Sequence, residues 1–262
     1  MERRLIFILL IASTSWSAQI LYRCMPINAP GTYSLPDDIV LAGARGPCFF
    51  INSSGVTLDL GGHSISCGTN QSIFSFSEGL PSASLSLANG RIVGCQIGAA
   101  FPCPFERIEN LSISNSSCVC GTEITHSNFS DSRLSICNGF QAGGTISGNE
   151  FHNNARSIDF NCASGFQVSG NTFAGSTESA LHVYHGKTCP SANVTITGNR
   201  FINNARDCVE ERWVDAAFLG PGYEPCNGMW LNNFTDPVCS NAFLLLFLCL
   251  AAFSAALRAN QT

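Results

Sequence analysis

The sequence predicts an all-β fold, a parallel β-solenoid, on three observations. One phrase recurs as Ile146-Ser-Gly-Asn-Glu-Phe151, Val168-Ser-Gly-Asn-Thr-Phe173 and Ile196-Thr-Gly-Asn-Arg-Phe201, and a phrase that returns this closely marks a returning unit of structure. Its Asn-to-Asn steps are 171 − 149 = 22 and 199 − 171 = 28, and a further step of 233 − 199 = 34 reaches the degenerate copy Trp230-Leu-Asn-Asn-Phe234. Composition agrees: charged residues are only 12% while Gly numbers 24 and Phe 19, a turn-rich chain without the signature of a coiled coil or helical bundle. Finally, Val56-Thr-Leu-Asp-Leu60 alternates apolar and polar residues before Gly61-Gly62, the period of a half-buried strand.

Each phrase reads as a short strand entering a turn. Ile146, Val168 and Ile196 are β-branched and suit a pleated backbone, and the Gly-Asn that follows tolerates positive φ. Stacked at the ~4.8 Å strand spacing, Asn149, Asn171 and Asn199 would form a hydrogen-bonded ladder and Phe151, Phe173 and Phe201 an aromatic column. Two copies continue identically, as His152-Asn-Asn-Ala-Arg156 and Ile202-Asn-Asn-Ala-Arg206. Residues 18–55, with Pro26, Pro30, Pro36 and Pro47, read as an irregular cap over the first coil, and residues 56–238 as the solenoid. The middle leaves two registers open. Leu111-Ser-Ile-Ser-Asn115 and Ile124-Thr-His-Ser-Asn-Phe129 place their Asn residues 128 − 115 = 13 apart, so either one phrase sits on another face or Cys118-Val-Cys120 marks an insertion.

The ends suggest a compartment. Arg3 and Arg4, the apolar run Leu5–Ala12 and Ser15-Trp-Ser17 predict a signal peptide over residues 1–17. Fourteen cysteines without a Cys-x-x-Cys spacing point to disulfides rather than zinc. The sequons at Asn52, Asn70, Asn110, Asn115, Asn128, Asn193 and Asn233 would then carry glycans. Within residues 239–262, Ala242–Leu257 is uninterrupted apolar or small sequence, short of the ~20 residues of a full span. The expectation is an extracellular or cell-surface protein attached to a membrane by this tail, as a marginal transmembrane helix or through a lipid-anchor signal. A net charge of −5 without a basic patch gives nucleic acid nothing to bind.

The Val56–Ile65 line, the Asn89-Gly-Arg-Ile92 line and the Gly-Asn-x-Phe lines resemble right-handed parallel β-helix repeat proteins of the pectate-lyase-like superfamily, and the repeat is similar to that of its NosD-type branch. The resemblance covers Val56 to about Phe234 and implies a right-handed β-helix. Its function is less specific, since that superfamily holds lyases, hydrolases, epimerases and adhesins. Polygalacturonase-like members carry Asn-Thr-Asp, Asp-Asp, Gly-His-Gly and Arg-Ile-Lys on successive coils. Only Asp37-Asp38 matches any of these, and it falls in the expected cap.

A ligand site on a solenoid is a column of outward side chains. With Leu134, Ile158 and Leu181 inward, the column reads Ser135, Asp159, His182, then Val209 or Glu210 according to register. Asp159, His182 and Glu210 form a workable set for proton transfer on a sugar, with Tyr184, Arg206 and Arg212 placed to bind it and an arginine to neutralise a uronate. Stacked acids would also admit Ca²⁺, though no dedicated metal site is expected. Two functions follow: an extracellular β-helix that binds or processes acidic polysaccharide, as a lyase or glycoside hydrolase if an enzyme, or a non-catalytic, disulfide-stapled structural or recognition protein.

Overall fold

A computed structural model describes residues 18–43, 46–77, 85–97, 105–117, 119–139, 142–185, 193–212 and 233–234. All strand pairs among these residues are parallel, and no helix occurs among them. The chain winds past three faces per coil. On the first face Tyr33, Leu58, Leu87, Ile108, Ile124, Ile146, Val168 and Ile196 stack in register. The second face stacks Ile65, Ile92, Ile113, Phe129, Phe151, Phe173 and Phe201. The third runs Met25–Phe49–Phe74 in the early coils and Val119–Ile136–Ile158–Leu181–Cys208 in the later ones. Period-two alternation along each strand sends these stacked residues to the same, inward side, and the resulting apolar columns are the core.

The predicted ladders are present. Phe129, Phe151, Phe173 and Phe201 stack with centroids 5.0, 4.8 and 5.0 Å apart and interplanar angles of 10–15°. Each is fully buried, and each such burial contributes ~1.5–3 kcal/mol. Asn149 Nδ2 donates to Asn171 Oδ1 at 3.0 Å and Asn171 Nδ2 to Asn199 Oδ1 at 2.9 Å, while the backbone N–H of each lower residue donates to the same oxygens. A second ladder, not read from the sequence, follows the other corner: Ser116 N–H donates to Ser132 Oγ, Ser132 N–H to Asn154 Oδ1 and Ser176 N–H to Asn204 Oδ1. Just before each ladder position the chain takes a positive φ. The pairs are Asn89/Gly94, Asn110/Asn115, His126/Asp131, Gly148/Asn153, Gly170/Gly175 and Gly198/Asn203, always five residues apart. Asn, Asp and Gly are the residues that enter this region at least cost, and each such residue turns the strand through a corner.

The structure differs from the sequence reading at two places. The expected irregular cap, residues 18–55, carries five strands paired into the same faces, so winding is already under way at Gln19. Pro30, Pro36 and Pro47 lie between the strands, and Pro26 is the middle residue of the short edge strand Met25–Ile27, which pairs with Phe49–Ile51 alone. The middle resolves as one short coil. Leu111–Ser114 lies on the second face, Ile124 on the first, and the coil joining them closes in 16 residues against 22 for its successor. Asn115 and Asn128 are therefore not equivalent: Asn115 is a corner, and Asn128 pairs within the second face.

Disulfides join Cys24 to Cys48 and Cys67 to Cys95, with sequence separations of 24 and 28 that step from one coil to the next. Cys120, Cys137, Cys162 and Cys208 are disulfide-bonded as well. The expected signal peptide and the apolar tail lie outside the described residues, as do residues 213–232 of the expected solenoid. Among the described residues no helix is long and apolar enough to cross a membrane.

Candidate functional site

On the third face the register departs from the expected column. Ile136, not Leu134, pairs with Ile158, so the outward line is Cys137, Asp159 and His182, with Val209 the register partner of His182. Ser135 is buried and Leu134 pairs with Arg156. The cause is the corner: Asp131 has a positive φ and Ser132 accepts from the previous coil, so strict alternation begins only after the chain has left that turn. Glu210 stands opposite Val183 rather than His182, which removes it from the expected acid–imidazole–acid column. The side chains of Glu210 and Arg212 lie outside the described residues.

Asp159 and His182 do meet. His182 Nδ1 lies 3.1 Å from Asp159 Oδ1, with side-chain exposures of 6% and 18%. The other carboxylate oxygen, Oδ2, is 3.5 Å from Arg156 Nη1. Arg156 in turn donates from Nε to Glu178 Oε2 at 2.8 Å, and Arg206 Nε donates to the Glu178 carbonyl at 3.2 Å. The result is a chain of alternating charge, Arg156 between Asp159 and Glu178, that crosses successive coils. Partial burial pulls the Arg156 guanidinium pKa down, and the hydrogen bonds and charges of Glu178 and Asp159 more than offset this, leaving it above its ordinary value. Sequence reasoning missed Arg156 and Glu178. The repeated Ala-Arg ending of the Asn-Asn-Ala-Arg phrase was the available signal for Arg156.

Tyr184 is half-buried, two residues past His182 on the same outward line and paired with Asn161. Arg206 sits at the corner beside Glu178, away from that line. A recess of about 420 Å³ lies along this corner, lined by Ser116, Ser117, Arg133, Leu134, Arg156 and Glu178. Asp38, half of the Asp-Asp match, accepts the Ser64 backbone N–H at 2.7 Å, and that hydrogen bond holds its carboxyl below the usual carboxylate range. Its role there is to tie one coil to the next. No group of three potential metal ligands occurs among the described residues.

Of the sequon residues, Asn52, Asn110, Asn115 and Asn193 are exposed, and Asn128 is half-buried between Ser112 and Glu150. The side chains of Asn70 and Asn233 lie outside the described residues.

Chemically, an imidazole held by a carboxylate is an oriented general base or acid. Here, however, the imidazole is nearly covered, and both carboxylate oxygens already face cationic or polar partners on the protein. Residues 103–233, half of the chain, match the family model described as right handed beta helix region. No curated protein and no solved structure gives a significant match.

Proposed function

We propose, for a chain that belongs to the right-handed β-helix family, that it serves outside the cell as a disulfide-stapled, non-catalytic recognition scaffold. One observation carries this: the Asp159 carboxylate is shared between His182 and Arg156. A polysaccharide acid or base must reach substrate, whereas these groups reach each other. Breaking such a pair leaves a covered charge without its partner and costs stability, which is what a structural clamp predicts. The disulfide-bonded cysteines support an oxidising compartment. Attachment through the apolar tail at residues 242–257 is part of the proposal, and its presented surface is the outward side of the three faces.

The 3.1 Å His182–Asp159 contact favours a second reading, turnover of an acidic polysaccharide. Full-length protein incubated with polyuronates, assayed for unsaturated products and for new reducing ends, separates the two. The scaffold reading expects no turnover, together with a lower melting temperature for Asp159→Asn and His182→Ala. Turnover by the wild type that both substitutions abolish, in proteins that remain folded, overturns it. A glycan array probed with the same protein then tests whether the presented surface recognises acidic sugars.

A further inference from the structure

The coil from Ser116 to Ser132 closes in 16 residues. Coils on either side need 21 and 22 residues for the same turn, so the third-face arc of the short coil is drawn in. A recess of about 340 Å³ opens there, within the range of small-ligand sites. Gly94, Cys95 and Gln96 border it from the preceding coil, Ser132 and Arg133 from the following one, and Asn115, Ser116 and Ser117 lie between. The same Ser116, Ser117 and Arg133 border the neighbouring recess that ends at Arg156 and Glu178.

Its lining is polar and partly uncommitted. Ser116 Oγ accepts from Cys95 N–H and donates to the Ser114 carbonyl, so it has no hydrogen left to donate. Ser117 Oγ accepts from Ile97 N–H at 3.1 Å, which leaves its own hydrogen to donate. Arg133 is exposed and makes no ion pair among the described residues. Asn115 completes the set. It heads an Asn-Ser-Ser sequon, is exposed, and has a φ of 49° at a corner. Its side-chain amide makes no hydrogen bond to another described residue. The other sequons whose side chains are described differ in this respect or in place: Asn110 Nδ2 donates to Asn89 Oδ1 at 2.9 Å and Asn52 Nδ2 to Asn28 Oδ1 at 2.6 Å, while Asn128 is held within the second face. Asn193 is exposed with a φ of 55°, but borders none of these recesses.

We propose that the recess beside the short coil is a sugar-binding seat filled in cis, by the first residues of an N-linked glycan carried on Asn115. The inference rests on the extracellular reading above. In the attachment step Asn115 Nδ2 forms a bond to C1 of the first sugar of a lipid-pyrophosphate-linked oligosaccharide. The C1–O bond to the pyrophosphate breaks, the pyrophosphate leaves with the electron pair, and the amide gives up one proton. Once the chain folds, the tether presents the sugar at high effective concentration. Arg133 and the Ser117 hydroxyl then donate to its hydroxyl and carbonyl oxygens. The glycan fills the space that the short coil vacates.

The test uses the full chain secreted from a glycosylating eukaryotic cell. Glycopeptide mapping is expected to find sugar on Asn115 and on Asn193. An amidase that cleaves the Asn–sugar bond, applied to native protein, should release the Asn115 glycan about tenfold more slowly than the Asn193 glycan, the ratio that ~1.4 kcal/mol of contact with the recess would give. Denaturation should equalise the two rates. Arg133→Ala should raise the Asn115 rate alone, because Arg133 is exposed and its loss leaves the fold in place. Equal native rates, a bare Asn115 beside an occupied Asn193, or an Arg133→Ala protein with an unchanged ratio would each overturn the seat while leaving the extracellular reading standing. A secreted protein with sugar at no sequon overturns the seat without touching the disulfide argument. Failure of the chain to enter the secretory pathway at all, seen as protein retained in the cytosol with reduced cysteines, overturns both.

Discussion

In the N-terminal coils, covalent bonds join positions one turn apart: Cys24 to Cys48 and Cys67 to Cys95, with Cα separations of 4.5 and 4.9 Å. The coils from Ile124 to Phe201 also hold disulfide-bonded cysteines, Cys137 and Cys162, but add non-covalent ladders, with Asn149, Asn171 and Asn199 linked amide to amide and four phenylalanines stacked. Ring geometry shows why. Each ring lies over its register partner on the second face, and the rings stay within 10–15° of parallel even across the longer step from Phe173 to Phe201, 201 − 173 = 28 residues. In the early coils Phe49 and Phe74, paired on the third face, meet at 28°, and Phe105, which comes from the first face, meets Phe74 edge-on at 76°. Such contacts still bury apolar area, but they do not define a register. A disulfide does, whatever the coil length. Cys162 and Cys208 extend the same logic, since they lie at the third face of coils whose lengths become unequal.

Removing the stack should cost most. Phe151→Ala opens a cavity between Phe129 and Phe173 and is expected to destabilise the C-terminal coils by ~3–5 kcal/mol. Hydrogen exchange should rise across residues 124–202 and remain unchanged around Val56, because repeats couple chiefly to their neighbours. Uniform acceleration across the whole chain would show that the two regions are not separate. Next comes the covalent tie. Replacing Cys67 and Cys95 together by serine should cost ~2–4 kcal/mol and speed exchange before Gln96, with the later coils spared.

Asn171→Ala should cost less, ~1–3 kcal/mol. It takes the acceptor from the buried Asn149 backbone N–H and the donor from the Ile146 carbonyl, while Asn149 Nδ2 keeps only its bond to the Ile124 carbonyl. A denaturation midpoint equal to wild type would show that the ladder decorates the register rather than setting it. The smallest effect belongs to Asp38. Its folded pKa lies below 3.8 because it accepts the Ser64 N–H. The carboxylate therefore contributes stability above the unfolded pKa and loses it as pH falls through the folded one. Asp38→Asn should lower the melting temperature slightly at neutral pH, with the deficit closing below pH 3.8; a deficit independent of pH would assign the effect to something other than ionisation.

The sequence showed the regular coils and hid the irregular ones. Asn149, Asn171 and Asn199 were legible because three equivalent positions hold the same residue beside the same Phe. The short coil was not, because its corner positions, Asn110 and Asn115, look like ladder asparagines yet precede the ladder by one residue. His126 occupies the position that Gly148, Gly170 and Gly198 hold later, and nothing in its identity announces a corner. The candidate site was legible in half. Period two paired Asp159 with His182, since Ile158 and Leu181 are adjacent across the sheet. The burial of His182, the clamp by Arg156 and the displacement of Glu210 depend on how each strand leaves its corner, which alternation alone does not encode.

The constant interval between the two corners of every turn acts as a gauge for growth. Between Asn89 and Asn203 the stretch from one corner to the next never changes, whereas the remainder of the turn runs from short to long. New sequence can therefore enter this molecule without disturbing its thread, provided it enters on the third-face side. Segments of unrelated sequence spliced after Ser117 or after His185 would project sideways from an unaltered screw, whereas a single residue added between Gly148 and Asn153 would put every later turn out of step. The protein divides into an axle of fixed step and a rim of free length, and lineages of this chain should differ in the rim.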